Sequence, residues 1–218
     1  MKKIFSVYGI PYLIMFILEL VLLYIYPKVE LHLLLNSRHT DLQDTFFKSY
    51  STLAEWPLYV LGLLPLCWKK YRLTIFYAVS EIVSGSITLF LKALISSERP
   101  MRLIDLNILP VVEGVDLHHS DSFPSGHACT FFVFFTCLAL LFAYWYQQRA
   151  SHFSTRKKIL MYLVMFTLFL LAALGAFSRV YLSQHFLSDI CVGGLIGFVG
   201  PCVIFYFGQK IILKQKTE

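Results

Sequence analysis

The chain has 218 residues, of which 57% are hydrophobic and only 15% charged, with a formal net charge of +6 and a mean hydropathy of +0.66. Soluble domains carry about 25% charged residues, so a soluble globule is excluded, and 20 Phe with 13 Tyr exclude a disordered chain. Five Cys (Cys67, Cys129, Cys137, Cys191, Cys202) lie within or at the ends of apolar runs and do not form a secreted disulfide framework. What remains is an all-α integral membrane protein, a single domain over residues 1–218 without internal repeats or long linkers.

Six apolar runs approach the roughly 20 residues needed to cross a bilayer. In chain order they are Ile4–Tyr26, Leu53–Trp68, Leu73–Ile95, Ala128–Tyr146, Ile159–Phe177 and Phe186–Phe207. The first follows Met1-Lys2-Lys3 and reads as an uncleaved signal anchor, because the run is long and no small-x-small cleavage site follows it. The second is the weakest. It is short, opens near Glu55 and Pro57, and contains Pro65, and a re-entrant or tilted segment is its alternative. Gly193, Gly194, Gly197 and Gly200 give the last run the small-xxx-small spacing of close helix packing.

Six crossings sort the charges. Lys2, Lys3, Lys69, Lys70, Arg72, Arg149, Arg156, Lys157, Lys158, Lys210, Lys214 and Lys216 fall on one side with a single acid, Glu218. The other side holds Glu30, Asp41, Asp44, Glu55, Glu98, Asp105, Glu113, Asp116 and Asp121. The positive-inside rule then places both termini in the cytoplasm. Short basic clusters that flank spans are topology signals, so no nucleic-acid partner is expected.

Three groups of polar residues fall on the outward face. Lys92 stands near the end of the third span, about 10 Å along a helix from Arg99. A lysine there either snorkels to the interface or holds an anion. Phe123-Pro124-Ser125-Gly126-His127 precedes the fourth span. Its proline, serine and glycine make a helix start whose free N–H groups favour an anion, with His127 beside it; a plain cap with an incidental histidine is the alternative. Ser178-Arg179 and His185…Asp189 flank the junction of the last two spans. On a helix His185 and Asp189 would share a face about 6 Å apart, where a carboxylate can orient an imidazole. A metal pair is the other reading, but no third compact ligand is evident, so no metal is expected. Together these groups form a site for an anion of high charge density, equipped for phosphoryl transfer through a histidine.

Lys92…Arg99-Pro100, Pro124-Ser125-Gly126-His127 and Ser178-Arg179…His185…Asp189 together resemble the three signature motifs of the type 2 phosphatidic acid phosphatase superfamily, in order and complete over residues 92–189. The resemblance implies a six-helix membrane lipid phosphatase that needs no cofactor. It implies that His185 attacks phosphorus, that Asp189 orients it, and that His127 protonates the leaving oxygen. Lys92, Arg99, Ser125, Gly126 and Arg179 would hold the phosphoryl oxygens. The expected partners are the bilayer and a phosphorylated membrane lipid, and the expected location is a bacterial inner membrane with the site on the extracytoplasmic side. Candidate lipids are undecaprenyl diphosphate, lipid A phosphate, phosphatidylglycerophosphate and phosphatidic acid. A lipid phosphotransferase shares every motif, and a non-enzymatic lipid carrier or transporter is the competitor of another class. Soluble vanadium haloperoxidases share the signature too, but the apolar composition argues against them.

Glu19 and Glu81 lie inside spans, where acids are functional suspects. His118 and His119 lie in the acidic 23-residue loop between Arg99 and Phe123, which is long enough to shape a headgroup pocket and more simply solvated.

Overall fold

The computed structural model describes residues 1–212, so Lys214, Lys216 and Glu218 of the basic tail lie outside the described residues. Among the described residues nine α-helices follow one another: α1 (Lys2–Ile25), α2 (Lys28–Leu35), α3 (Asp41–Ser51), α4 (Pro57–Leu63), α5 (Tyr71–Leu94), α6 (Pro100–Leu103), α7 (Gly126–Arg149), α8 (Thr155–Tyr181) and α9 (Leu187–Ile212). Among the described residues there is no β-strand. A helix satisfies its own backbone polar groups, which is what a chain this apolar requires.

Five of these helices, α1, α5, α7, α8 and α9, are long and apolar enough to cross a membrane. They outrun the apolar stretches that predicted them. α7 continues past Tyr146 to Arg149, and α8 opens at Thr155, ahead of Arg156, Lys157 and Lys158. Caps account for two of the starts: Ser125 accepts from the Ala128 N–H and Ser154 from the Lys157 N–H.

The expected second span differs from the others. Leu53 belongs to a 3-10 turn (Thr52–Ala54), and the apolar helix that follows is broken into α4 and a second 3-10 turn, Leu64–Trp68. Two prolines explain this. Pro57 opens α4, and Pro65 removes an N–H just where the α-helix gives way to the tighter turn. The broken segment still runs alongside the first half of α5, since Tyr77 of α5 donates to the Leu58 carbonyl.

α7 is the central helix. Within its most apolar stretch 72% of residues are buried, against 17% for α1 and 28% for α8. Tyr8 meets Thr136 at 2.9 Å and Tyr12 stacks edge-on against Phe132, so α1 runs antiparallel to α7. α8 is antiparallel as well, with Gly175 beneath the Phe131 ring and Tyr162 near Tyr146. α9 is parallel to α7. A side chain at Gly193 or Gly197 would run into the carbonyl of Ser125 or Cys129 respectively. Gly200 faces Ser84 of α5 instead, and Gly194 lies against the Phe132 ring. The spacing expected to pack helices closely does so, against two neighbours rather than one.

Every long helix therefore begins or ends at the same polar end of the bundle, where the ends of α5 and α8 meet the starts of α7 and α9. The outer surface is a belt of exposed Ile, Leu, Val and Phe, including Ile14, Ile17, Leu89, Phe90, Leu163 and Phe207, which is the surface a lipid environment demands. Gly197→Val should lower the unfolding temperature in detergent, by an overpacking cost of about 1–3 kcal/mol. Gly85→Ala should leave it unchanged, because an added carbon there meets nothing within 4 Å.

Candidate active site

The polar end is built around His185. The chain leaves α8 through Leu182 and turns at Ser183, a non-glycine residue in the left-handed region at φ 51°. Ser183 is held there by its own side chain, which donates to the Pro110 carbonyl at 2.6 Å and accepts from Asn36 at 2.8 Å, with His32 at 3.3 Å. The turn lets the N–H groups of Gln184 and His185 both donate to the Arg179 carbonyl. His185 is thus fixed in the turn before α9, not on the helix as its spacing to Asp189 suggested. The pair still meets, because Asp189 in the first turn of α9 folds back over the helix start and accepts from the Phe186 N–H.

Asp189 has no exposed surface, and one of its oxygens lies 3.4 Å from His185 Nδ1. Ser122 closes the group. Its hydroxyl donates to Asp189 and sits 3.3 Å from the same Nδ1. The opposite ring nitrogen, Nε2, faces Arg99 Nη1 at 3.5 Å. Arg99 is buried and pinned by the Ser120 and Gln184 carbonyls, each at 2.8 Å. Burial lowers the affinity of the Arg99 guanidinium for its proton, opposed by the charges of Asp189 and Asp121. Arg179 reaches across to Ser51 at 2.6 Å, and its Nε is buried without a partner among the described residues. Lys92 is half-buried in the last turn of α5, within electrostatic reach of Arg99, Arg179 and Asp189.

Burial is also the main force on His185. It pushes the imidazole down to about 4, with Arg99 and Arg179 adding to the shift and Asp189 opposing it. At neutral pH the ring is uncharged. Three cations and a neutral imidazole with one nitrogen turned toward a carboxylate give this end of the bundle a positive potential that favours an anion.

The remaining residues surround this centre without bonding to His185. Ser125 caps α7, and its N–H donates to the Asp189 carbonyl at 3.0 Å, docking the start of α7 on the start of α9. Gly126 is the first residue of α7, and a side chain there would meet nothing. His127 Nε2 is buried and without a hydrogen-bond partner among the described residues, 4.0 Å from Glu55. His118 and His119 are exposed in the loop. Burial lowers the His118 imidazole, with help from Arg99 and Arg179. Glu19 lines an apolar cavity between α1 and α8 and lies beside Cys191 near the start of α9.

Sequence reading missed Ser122, Ser51, Gln184 and the His32–Asn36–Ser183 cluster. A serine two residues before the proline of a helix start, or a histidine 60 residues ahead of the first motif, has no periodicity that marks it. Tertiary packing brings them in: loop 104–122 carries Ser122 and holds Gln184, while α2 and α3 bring His32, Asn36 and Ser51. Among the described residues no group of three His, Cys, Asp or Glu is placed to hold a metal ion.

The fold is that of a helical membrane protein, with Lys92, Arg99, Arg179, His185 and Asp189 gathered at one end of its bundle. The family model of the PAP2 superfamily matches residues 73–213, and the chain belongs to that superfamily. Two solved structures share the fold. One is LpxE of Aquifex aeolicus, at 24% identity and a TM-score of 0.62, with 84% of this chain and 98% of that chain covered. The other is a transmembrane PAP2 type phosphatidylglycerolphosphate phosphatase from Bacillus subtilis, at 17% identity and a TM-score of 0.64, covering 97% and 99%. No match is found among curated proteins.

Because the folded state keeps His185 neutral while an unfolded chain protonates it near 6.5, the unfolded state binds more protons between about 6.5 and about 4. Stability is therefore full above pH 6.5 and falls as the pH is lowered through that window. Thermal unfolding in detergent at pH 7 and pH 5 should show a smaller acid-induced drop for His185→Gln than for the unaltered protein.

Proposed function

We propose that this chain is a lipid phosphatase that hydrolyses a phosphomonoester or diphosphate of a membrane lipid through a phosphohistidine. The observation that carries the reading is the orientation of His185. Nδ1 is turned to Ser122 and Asp189, so its proton has acceptors, and Nε2 is left with its lone pair beside Arg99, where a phosphoryl group would be held. Membership of the PAP2 superfamily supports it, as does the fold shared with a PAP2 type phosphatidylglycerolphosphate phosphatase.

In this mechanism Arg99, Arg179, Lys92 and the Ser125–Gly126 helix start hold the non-bridging oxygens and the charge of the transition state. His185 Nε2 attacks phosphorus in line with the lipid oxygen, and Asp189 stabilises the charge that the ring acquires. His127 at the first turn of α7 protonates the departing alcohol, then accepts a proton from the water that cleaves the phosphohistidine. Burial suits His185 to its role, since the attacking ring must begin unprotonated, while His127 exchanges its proton within each turnover. A phosphotransferase would pass the same phosphoryl group to an acceptor alcohol, and phosphate released without an acceptor separates the two. A carrier or transporter would need no such ring orientation.

The reading extends to the membrane. The broken segment of α4 and its 3-10 turn supplies a sixth crossing, since it starts with Glu55 beside His127 and leads to Lys69 at the other end of the bundle. Both termini then lie on the basic side, the cytoplasm of a bacterial inner membrane, and the site faces outward. The whole chain acts as one domain. The substrate candidates remain undecaprenyl diphosphate, lipid A phosphate, phosphatidylglycerophosphate and phosphatidic acid.

His185→Ala should abolish phosphate release from such lipids while the protein stays folded in the membrane, and near-normal turnover would overturn the mechanism. The unaltered enzyme should keep its activity in EDTA and lose it to vanadate. Ser122→Ala removes a donor to Asp189 and a neighbour of Nδ1, so kcat should fall roughly tenfold or more with little change in KM.

A further inference from the structure

A groove of about 420 Å³ opens between α4, α5 and α7, and His127 and Gly126 stand at its polar end. None of Lys92, Arg99, Arg179 or His185 lines it. Most of its wall is apolar (Ala54, Ile82, Leu89), yet it holds a polar cluster within the span region. Glu81 accepts from Thr130 at 2.7 Å through one carboxyl oxygen, and Tyr59 lies 3.1 Å from the same Thr130 hydroxyl. The other Glu81 oxygen, Oε2, is buried with no partner among the described residues, and so is His127 Nε2 at the same groove. Two unsatisfied polar atoms along one cavity are costly unless something fills it.

Their spacing says what could. Thr130 follows His127 by three residues, a rise of about 4.5 Å along α7, and the Glu81 carboxyl is bonded to Thr130, one turn deeper than the histidine. That is the reach of two or three bonds from an oxygen held at His127. Glu81 offers an acceptor there, and Glu55 places a second carboxyl at the groove mouth. A second phosphate in this position would meet both carboxyls and gain no cation.

We propose that this groove receives the leaving alcohol of the lipid and that Glu81 selects it. The preferred substrate is a phosphomonoester whose alcohol carries a hydroxyl or amide N–H donor on the carbon next to the one bearing the phosphate, and not a diphosphate. Glu81 Oε2 accepts from that donor while His127 faces the ester oxygen. A glycerol and an acylated amino sugar both present this chemistry. The assignment rests on the phosphatase reading above, because it takes His127 to face the leaving oxygen.

The test is phosphate release by the purified full-length protein in detergent from four lipids. These are phosphatidylglycerophosphate, its analogue lacking the secondary hydroxyl of the phosphate-bearing glycerol, a lipid N-acylglucosamine 1-phosphate, and undecaprenyl diphosphate. One of the two donor-bearing lipids should exceed the deoxy analogue in kcat/KM by about tenfold or more, and whichever it is names the donor as hydroxyl or amide. Glu81→Leu should bring that ratio to within about twofold of unity, since it leaves the groove apolar. The ratio is taken within one preparation, so the amount of folded enzyme cancels. Glu81→Gln, which can turn an amide donor into the groove, should lower the ratio as well and serves if the leucine variant does not fold. Equal rates on the donor-bearing lipids and the deoxy analogue, an undiminished ratio in both variants, or undecaprenyl diphosphate as the fastest substrate would overturn the selection by Glu81 and leave the phosphatase reading standing. Release from none of the four and none from phosphatidic acid, or undiminished release by His185→Ala, would overturn the phosphatase reading itself.

Discussion

A carboxylate without exposed surface at the end of an apolar bundle has to be met by donors, or it would not stay charged. Asp189 meets that constraint with a Phe186 N–H, the Ser122 and Ser188 hydroxyls and the ring of His185. Those partners come from three different stretches of chain. The α9 start, the turn after α8 and the loop before α7 are all tied to one side chain, and the Ser125 N–H adds a fourth link through the Asp189 carbonyl. The elements that carry the site are the elements that satisfy this one charge. Here the polar network that orders the end of the bundle and the network that orients His185 are the same.

The cations pose the opposite problem. Arg99, Arg179 and Lys92 repel one another in surroundings that screen them poorly, and the two arginines are restrained by neutral groups rather than by a paired acid: carbonyls for Arg99 and a serine hydroxyl for Arg179. A fixed positive potential is the result. It depresses the proton affinity of His185 and leaves room for an anion's charge. The basic residues at the other end of the bundle have no such role. They flank helix ends, at Lys69 and Lys70 before α5 and at Arg156 to Lys158 within the first turn of α8. A net charge of +6 therefore combines two populations with different physical work.

Between those ends the bundle is not uniformly apolar. The faces of α5 and α7 carry a line of small polar groups, Ser80, Ser84, Thr88 and Thr130, of which Ser80 and Thr88 bond to backbone of their own helix. Small side chains allow close approach of helices in lipid, as the glycines of α9 do more completely. Glu81 stands on this line, yet its second oxygen is left over. Packing alone would not retain it, whereas Glu19 sits in an apolar cavity with nothing to suggest a ligand.

Much was legible in the sequence because it depends on local order. Long apolar runs had to become helices, since only a helix pairs its own backbone groups out of water. The glycine spacing had to mean close packing, and the signature residues stand in short motifs whose order survives in any fold. The broken second helix was legible as a weakness through its two prolines, but not as a change from α to 3-10 geometry. Tertiary structure decided the rest. His185 left the helix because Ser183 turned the chain, and it did so on partners from α2 and a distant loop. Ser122 became the neighbour of both His185 and Asp189 only when loop 104–122 closed. Glu81, one intramembrane acid of two by sequence, was set apart by a cavity that three helices form together. Helices report themselves through periodic burial, while a site assembled from loops depends on distances between segments far apart in the chain, which no local pattern records.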